Sequence, residues 1–115
     1  MASPLEVAGK QLAVPDGAIV VVAQLTALAG RESAVQSATE RLVEAVHANE
    51  VGCLLFVAHK GANVPGDVLF WEVFEDQTAF EAHKSSDHLA AWLKEIDRST
   101  ATAIDVHVLT PIRPS

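Results

Sequence analysis

The run Ile19-Val-Val-Val-Ala-Gln-Leu-Thr-Ala-Leu28 is rich in β-branched residues and apolar on both faces for most of its length. A strand of that kind belongs in the middle of a sheet, so the rest of the chain has to supply neighbours on both of its edges. Gly30 ends the run, and the period then changes from that of a strand to that of a helix. Over Glu32 to Asn49, Val35, Ala38, Leu42 and Val46 fall on one stripe while Glu40, Arg41 and Glu44 fall elsewhere. Ser33 with Gln36 has the spacing of a capping box, and Glu32 suits the positive end of the helix.

Two further strands follow, Gly52 to Lys60 and Val68 to Phe74, joined by the short Gly/Pro connection Gly61-Ala-Asn-Val-Pro-Gly-Asp67. Such a pair reads as a hairpin. Asp76 is placed to cap a helix starting at Gln77. Ser85-Ser86-Asp87 interrupts that helix, and Ser86 can cap a continuation through Ile96 with the stripe Leu89, Trp92, Leu93 and Ile96. A last strand is expected from Ala103 to Thr110, stopped by Pro111. The order strand, helix, strand, strand, helix, strand predicts an α+β, ferredoxin-like βαββαβ fold. Its four-stranded antiparallel sheet carries both helices on one face.

The opposite face would then leave Val20, Val22, Leu69, Trp71 and Val73 in water, an apolar patch of a kind monomers rarely expose. A second copy covering it, and hence a homodimer, is the expectation. The 115 residues fit one domain, read as an irregular arm over 1–17, with Pro4, Gly9, Pro15 and Gly17, and a folded unit over 18–115. A chain of this mass buries about two-thirds of its extended surface, enough for one core without disulfides. The net charge of −7, with basic residues scattered singly, argues against a nucleic acid partner and against docking to anionic lipid. Cys53 is the single cysteine, so neither a disulfide framework nor a thiolate metal site is expected. The longest apolar stretch is far short of the ~20 residues that span a bilayer, and no signal peptide is evident, so a cytoplasmic protein is expected.

Strand parity puts Phe70, Glu72 and Phe74 on one face of the third strand. Glu72 is the anomaly there, a carboxylate between two phenylalanines on a central strand, where charges are seldom buried without a partner. Ala79, Phe80 and His83 lie at i, i+1 and i+4 of the following helix, so His83 projects from the apolar stripe. An imidazole above a sheet face bearing Glu72 could form a His–carboxylate pair; a core histidine bonded to a carbonyl is the plainer alternative. His88 lies five residues beyond His83. On an unbroken helix that separation is about 140° of rotation, poor geometry for joint metal ligation, and no metal site is expected. His47, near a helix C-terminus, suits the dipole, while His59 and His107 read as structural or solvated. There is no Gly-rich phosphate loop, no GxSxG elbow, no CxxC and no tyrosine.

Gly52-Cys53 after the first helix, then Glu72-Val-Phe74-Glu-Asp76 and His83-Lys-Ser-Ser86-Asp-His88-Leu, resembles the antibiotic biosynthesis monooxygenase domain family over roughly residues 19 to 112. The resemblance implies a dimeric α+β barrel of two facing ferredoxin-like sheets, with a small pocket between each sheet and its helices. It implies a monooxygenase that oxidises a small quinol or phenol with O₂ and uses neither metal nor flavin, so no cofactor is expected. By position His83 would be the base or hydrogen-bond partner and Glu72 its orienter. Phe56, Phe70, Phe74, Phe80 and His88 would contact the small aromatic or hydrophobic substrate. Phe74 stands where the family usually has Trp, and Phe70 and Phe80 stand where the polycyclic-phenol oxidases place Asn and Tyr. Ala23 and Phe74 occupy the positions of the Asn and Trp used in haem degradation, which is disfavoured. A non-catalytic dimer binding a small hydrophobic ligand, and an isomerase or other proton-transfer enzyme, are the alternatives on the same fold.

Overall fold

The computed structural model of the chain describes residues 14–112. The expected arm over 1–17 lies outside the described residues for its first thirteen positions. Its last residues form a turn in which the Ala18 N–H donates to the Pro15 carbonyl at 3.2 Å.

Four strands and three helices follow in the order β1 (Ile19–Thr26), α1 (Glu32–Asn49), β2 (Cys53–Lys60), β3 (Asp67–Phe74), α2 (Gln77–Lys84), α3 (Asp87–Glu95) and β4 (Asp105–Leu109). The sheet order is β2-β3-β1-β4 and each neighbouring pair is antiparallel. This is the ferredoxin-like arrangement that the sequence predicts, with the doubly apolar β1 in an interior position. Val21, Ala23 and Leu25 of β1 are buried, as are Val68, Phe70, Glu72 and Phe74 of β3. Ala23, Leu25, Val68 and Phe70 meet Val35, Ala38, Leu42 and Val46 of α1 and Trp92 of α3 in the main core, while Val21 and Phe74 pack with Phe80 of α2 in a second cluster. Fully burying the Val, Leu and Phe side chains among these contributes roughly 1.5–3 kcal/mol each.

Three local details differ from the sequence expectation. Helix α1 has Arg31 at its N-cap with no side-chain cap bond, and Ser33 lies inside the helix, so the capping box does not form. Glu32 instead turns back, its carboxylate accepting from the Gly30 N–H at 2.8 Å. In β2 the register shifts between Cys53 and Leu55, and this bulge puts both Cys53 and Phe56 on the helix side, opposite Phe74 and Glu72. On the outer face Val73 is buried rather than bare, flanked by Val20 and Leu55 on the neighbouring strands. Val20, Val22 and Leu69 are half-buried there, and Trp71 keeps 43 % of its surface exposed.

The helix after β3 is two helices. Asp76 caps α2 by accepting from the Ala79 N–H at 2.8 Å, and Ser86 caps α3 by accepting from the Leu89 N–H at 3.3 Å. The Ser86 hydroxyl also donates to the His83 carbonyl at 2.7 Å, pinning the end of one helix to the start of the next. Gly52 lets α2 come close, since a Cβ at that position would stand 2.6 Å from the Ala79 Cβ. Across the fold, the Trp92 indole N–H donates to the Thr39 hydroxyl at 3.2 Å and ties α3 to α1.

Candidate active site

Helix α1 ends at Asn49, and Glu50 follows as its C-cap, its N–H held by the Val46 carbonyl at 3.0 Å. The Glu50 side chain is nearly buried and turns toward α2 and α3. There it accepts from two imidazoles: His83 Nδ1 at 2.8 Å and His88 Nε2 at 2.5 Å, both to Oε2. His83 is 4 % exposed, between the rings of Phe56 and Phe74 at centroid distances of 5.4 and 5.0 Å. On its far side, His83 Nε2 faces Glu72 Oε1 at 3.7 Å.

The tautomer follows from the donors. An ionised carboxylate only accepts, so the proton of the His83–Glu50 bond belongs to Nδ1, and in the neutral ring the lone pair falls on Nε2. Nε2 is therefore the basic atom and it points away from Glu50. Burial, with the Glu50 charge adding to it, pushes the Glu72 carboxyl up to about 8, so near neutrality Glu72 mostly keeps its proton. The same surroundings push the Cys53 thiol up to about 12, through burial first and the Glu50 charge second. Two carboxyls thus share one histidine and play different parts, Glu50 accepting two N–H bonds and Glu72 holding a proton.

Glu72 and His83 both open onto a cleft of about 230 Å³ between the sheet and helices α2 and α3, walled by Val21, Phe70, Phe80, Leu89, Trp92 and Val106 among others. A larger, open groove of about 790 Å³ runs between α1 and the β2 edge past His47 and His59. It holds no comparable set of buried polar groups: His47 there bonds the Phe56 carbonyl at 2.8 Å, and His59 is exposed. The smaller cleft is the one whose apolar lining includes an imidazole and a carboxyl.

Of the residues singled out in the sequence, Glu72, Phe70, Phe80 and His83 line this cleft. Phe56 and Phe74 instead flank the His83 ring, and His88 is turned onto Glu50. The carboxylate hydrogen-bonded to His83 is that of Glu50, at Nδ1, whereas Glu72 Oε1 stands 3.7 Å from Nε2. The five-residue argument against His83 and His88 converging fails because the helix is broken between them at Ser85–Ser86. His107, read as structural or solvated, pairs with Asp105 at 3.2 Å on the exposed β4. Glu50 is the residue the sequence reading missed. Its signal was there: an acidic residue at the negative end of a helix opposes the dipole and calls for a local partner.

The antibiotic biosynthesis monooxygenase family matches residues 18–95. The chain belongs to that family. Its fold superposes on that of a Caulobacter crescentus protein carrying the same family description, with a TM-score of 0.78, 24 % identity, and coverage of 84 % of this chain and 92 % of the other. A Pseudomonas aeruginosa protein gives 0.77 at 20 % identity, covering 88 % and 100 %. A third similar structure, from Shewanella oneidensis, gives 0.76 at 23 % identity, covering 84 % and 93 %. No curated protein sequence matches the chain. Membership of the family supports a monooxygenase-like role in general terms. Among the described residues no helix is long and apolar enough to cross a membrane.

Proposed function

We propose that the protein is a cofactor-independent monooxygenase that oxidises a small quinol or phenol with O₂, with His83 as its base. The observation that carries this reading is the Glu50–His83 Nδ1 hydrogen bond, which leaves the Nε2 lone pair toward an apolar cleft. A quinol hydroxyl placed against Nε2 gives up its proton there, and the resulting phenolate is a far better reductant than the phenol. It transfers one electron to O₂, the semiquinone and superoxide radicals combine at a ring carbon, and loss of water leaves a hydroxyquinone. One oxygen atom ends in the product and the other in water, so the substrate supplies every electron. The chain contributes the base, orientation and exclusion of water. Glu72, beside Nε2, is placed to hydrogen-bond a second substrate oxygen. At about 230 Å³ the cleft falls below the roughly 300–1,000 Å³ of sites for drug-sized ligands, which suits one or two fused rings.

A second reading is favoured by the same geometry. An imidazole and a carboxyl 3.7 Å apart on one cleft could take a proton from a carbon acid and return it elsewhere, the work of an isomerase. Oxygen uptake by the metal-stripped protein on a panel of hydroquinones and naphthols, corrected for autoxidation, separates the two. Uptake by the wild type that His83→Ala loses is the expected result. Anaerobic conversion of substrate, with no oxygen consumed, would replace the monooxygenase reading with the isomerase one.

We also infer that the outer sheet face pairs with a second copy. Trp71 and Leu109, with 43 % and 46 % of their surfaces exposed, lie there beside the half-buried Val22 and Leu69.

A further inference from the structure

Glu50, His83 and His88 come from three separate segments, yet one ligand-capable atom from each lies within 4.8 Å of the other two. Among the described residues this is the one group of three such donors brought so close. Two imidazoles and a carboxylate are the donor set of open transition-metal sites, in which three protein ligands leave a further position free. Hard ions such as Mg²⁺ and Ca²⁺ want oxygen ligands and are poorly served by it.

The spacing is near to what an ion needs. Ligands bonded at about 2.0–2.1 Å to a tetrahedral ion lie about 3.3 Å from each other. Here His83 Nδ1 and His88 Nε2 stand 2.8 and 2.5 Å from Glu50 Oε2, so each contact has to open by less than ~1 Å. A second observation points the same way. Metal-bound histidines commonly donate their other ring N–H to a carboxylate, and His83 Nε2 already faces Glu72 Oε1 at 3.7 Å. A carboxyl group whose carbonyl oxygen can accept that N–H stands behind the histidine.

We propose that Glu50, His83 and His88 bind one divalent transition-metal ion per chain, of which Zn²⁺ is the representative, and that binding reverses the tautomer of His83. In the metal-free chain the proton sits on Nδ1 and the lone pair on Nε2. An ion held by Nδ1 needs that lone pair, so the proton moves to Nε2 and faces Glu72. On the reading of His83 as base, which this consequence alone requires, the bound ion removes the basic atom from the cleft.

The test is made on the full chain, metal-stripped, with no substrate present, so it does not depend on the proposed reaction. Titration with Co²⁺ should give one visible d–d spectrum per chain, displaced by one equivalent of Zn²⁺, with Mg²⁺ and Ca²⁺ silent. Nitrogen-15 imidazole spectra should show His83 passing from the Nδ1–H to the Nε2–H form as Zn²⁺ is added. His88→Gln should lose the stoichiometric site, and Glu72→Gln, which leaves all three ligands, should weaken it by about 10–100-fold. Circular dichroism would establish that both variants are folded. Zn²⁺ bound equally well by wild type and His88→Gln, as by the exposed His59 or His107, would overturn the proposal. So would the absence of stoichiometric binding, or binding that leaves His83 in its Nδ1–H form. Failure of oxygen uptake would leave these readings untouched.

Discussion

Glu72 makes the fold carry a measurable pH dependence, and Glu72→Gln isolates it. The groups facing the carboxyl are Glu50 from the α1–β2 connection, Cys53 of β2 and His83 of α2. Burial is the largest influence and the Glu50 charge the next, together raising the folded-state value from 4.5 to about 8. The sign follows from where the proton sits. Below about pH 4.5 both folded and unfolded chains hold it, and Glu72 costs nothing by titration. Between 4.5 and 8 the unfolded chain releases the proton while the folded chain keeps it, so stability falls as pH rises. At 1.36 kcal/mol per unit, the loss between pH 4.5 and pH 7 is about 3 kcal/mol, levelling off above pH 8. Gln has the shape of the protonated acid and no titration. Urea unfolding of wild type and Glu72→Gln at half-unit steps from pH 4.5 to 9, in chelator, should show the two stabilities diverging by about 3 kcal/mol at pH 7 and about 4 kcal/mol by pH 9, with the variant gaining. A constant offset between amide and carboxylic acid does not alter the slope of the difference. Parallel curves across the window would refute the account of Glu72 as a buried, proton-holding group.

Glu50→Gln keeps the size of the side chain but replaces a pure acceptor with an amide, so the His83 tautomer is no longer dictated; turnover should fall by about 10²–10⁴-fold in the oxygen assay, with the fold intact by circular dichroism. Trp71→Asp puts a charge on the outer sheet face; sedimentation velocity should show the wild type as a dimer and the variant as a monomer, and identical profiles would remove that face from the interface. Gly52→Ala forces the Ala79 Cβ away from 2.6 Å, and urea unfolding should register a loss of about 1–3 kcal/mol. An unchanged midpoint would mean that α2 is free to shift away from the β2 start.

The parts of the fold that follow a period were legible in the residues. The β-branched run of β1, the single apolar stripe of α1 and the alternation of β3 each have one low-energy solution, and together they leave one sheet order. What was not legible depends on where separate segments meet. Glu50 reads locally as one more acidic residue at a helix end, and only the close approach of α2 over Gly52 brings His83 to it. His88 was assigned by the rotation of an ideal helix, whereas the Ser86 cap restarts the helix and resets that rotation. Phe56 and Phe74 were readable as core-facing aromatics, but parity gives a face and not a neighbour. It could not say that they would clasp an imidazole instead of lining the cleft.

The joint at Ser85–Ser86 has a consequence for how much this chain can change. An α-helix advances about 100° per residue, so one residue added to or lost from the joint would swing α3 by roughly that angle. His88 would leave Glu50 and Trp92 would leave Thr39, although neither helix would have lost a favourable residue or a cap. The convergence of the two histidines is therefore a matter of length. Residues along the exposed sides of α2 and α3 are free to drift in identity, while the count between Asp76 and Trp92 is held fixed by a ruler with its zero at one serine.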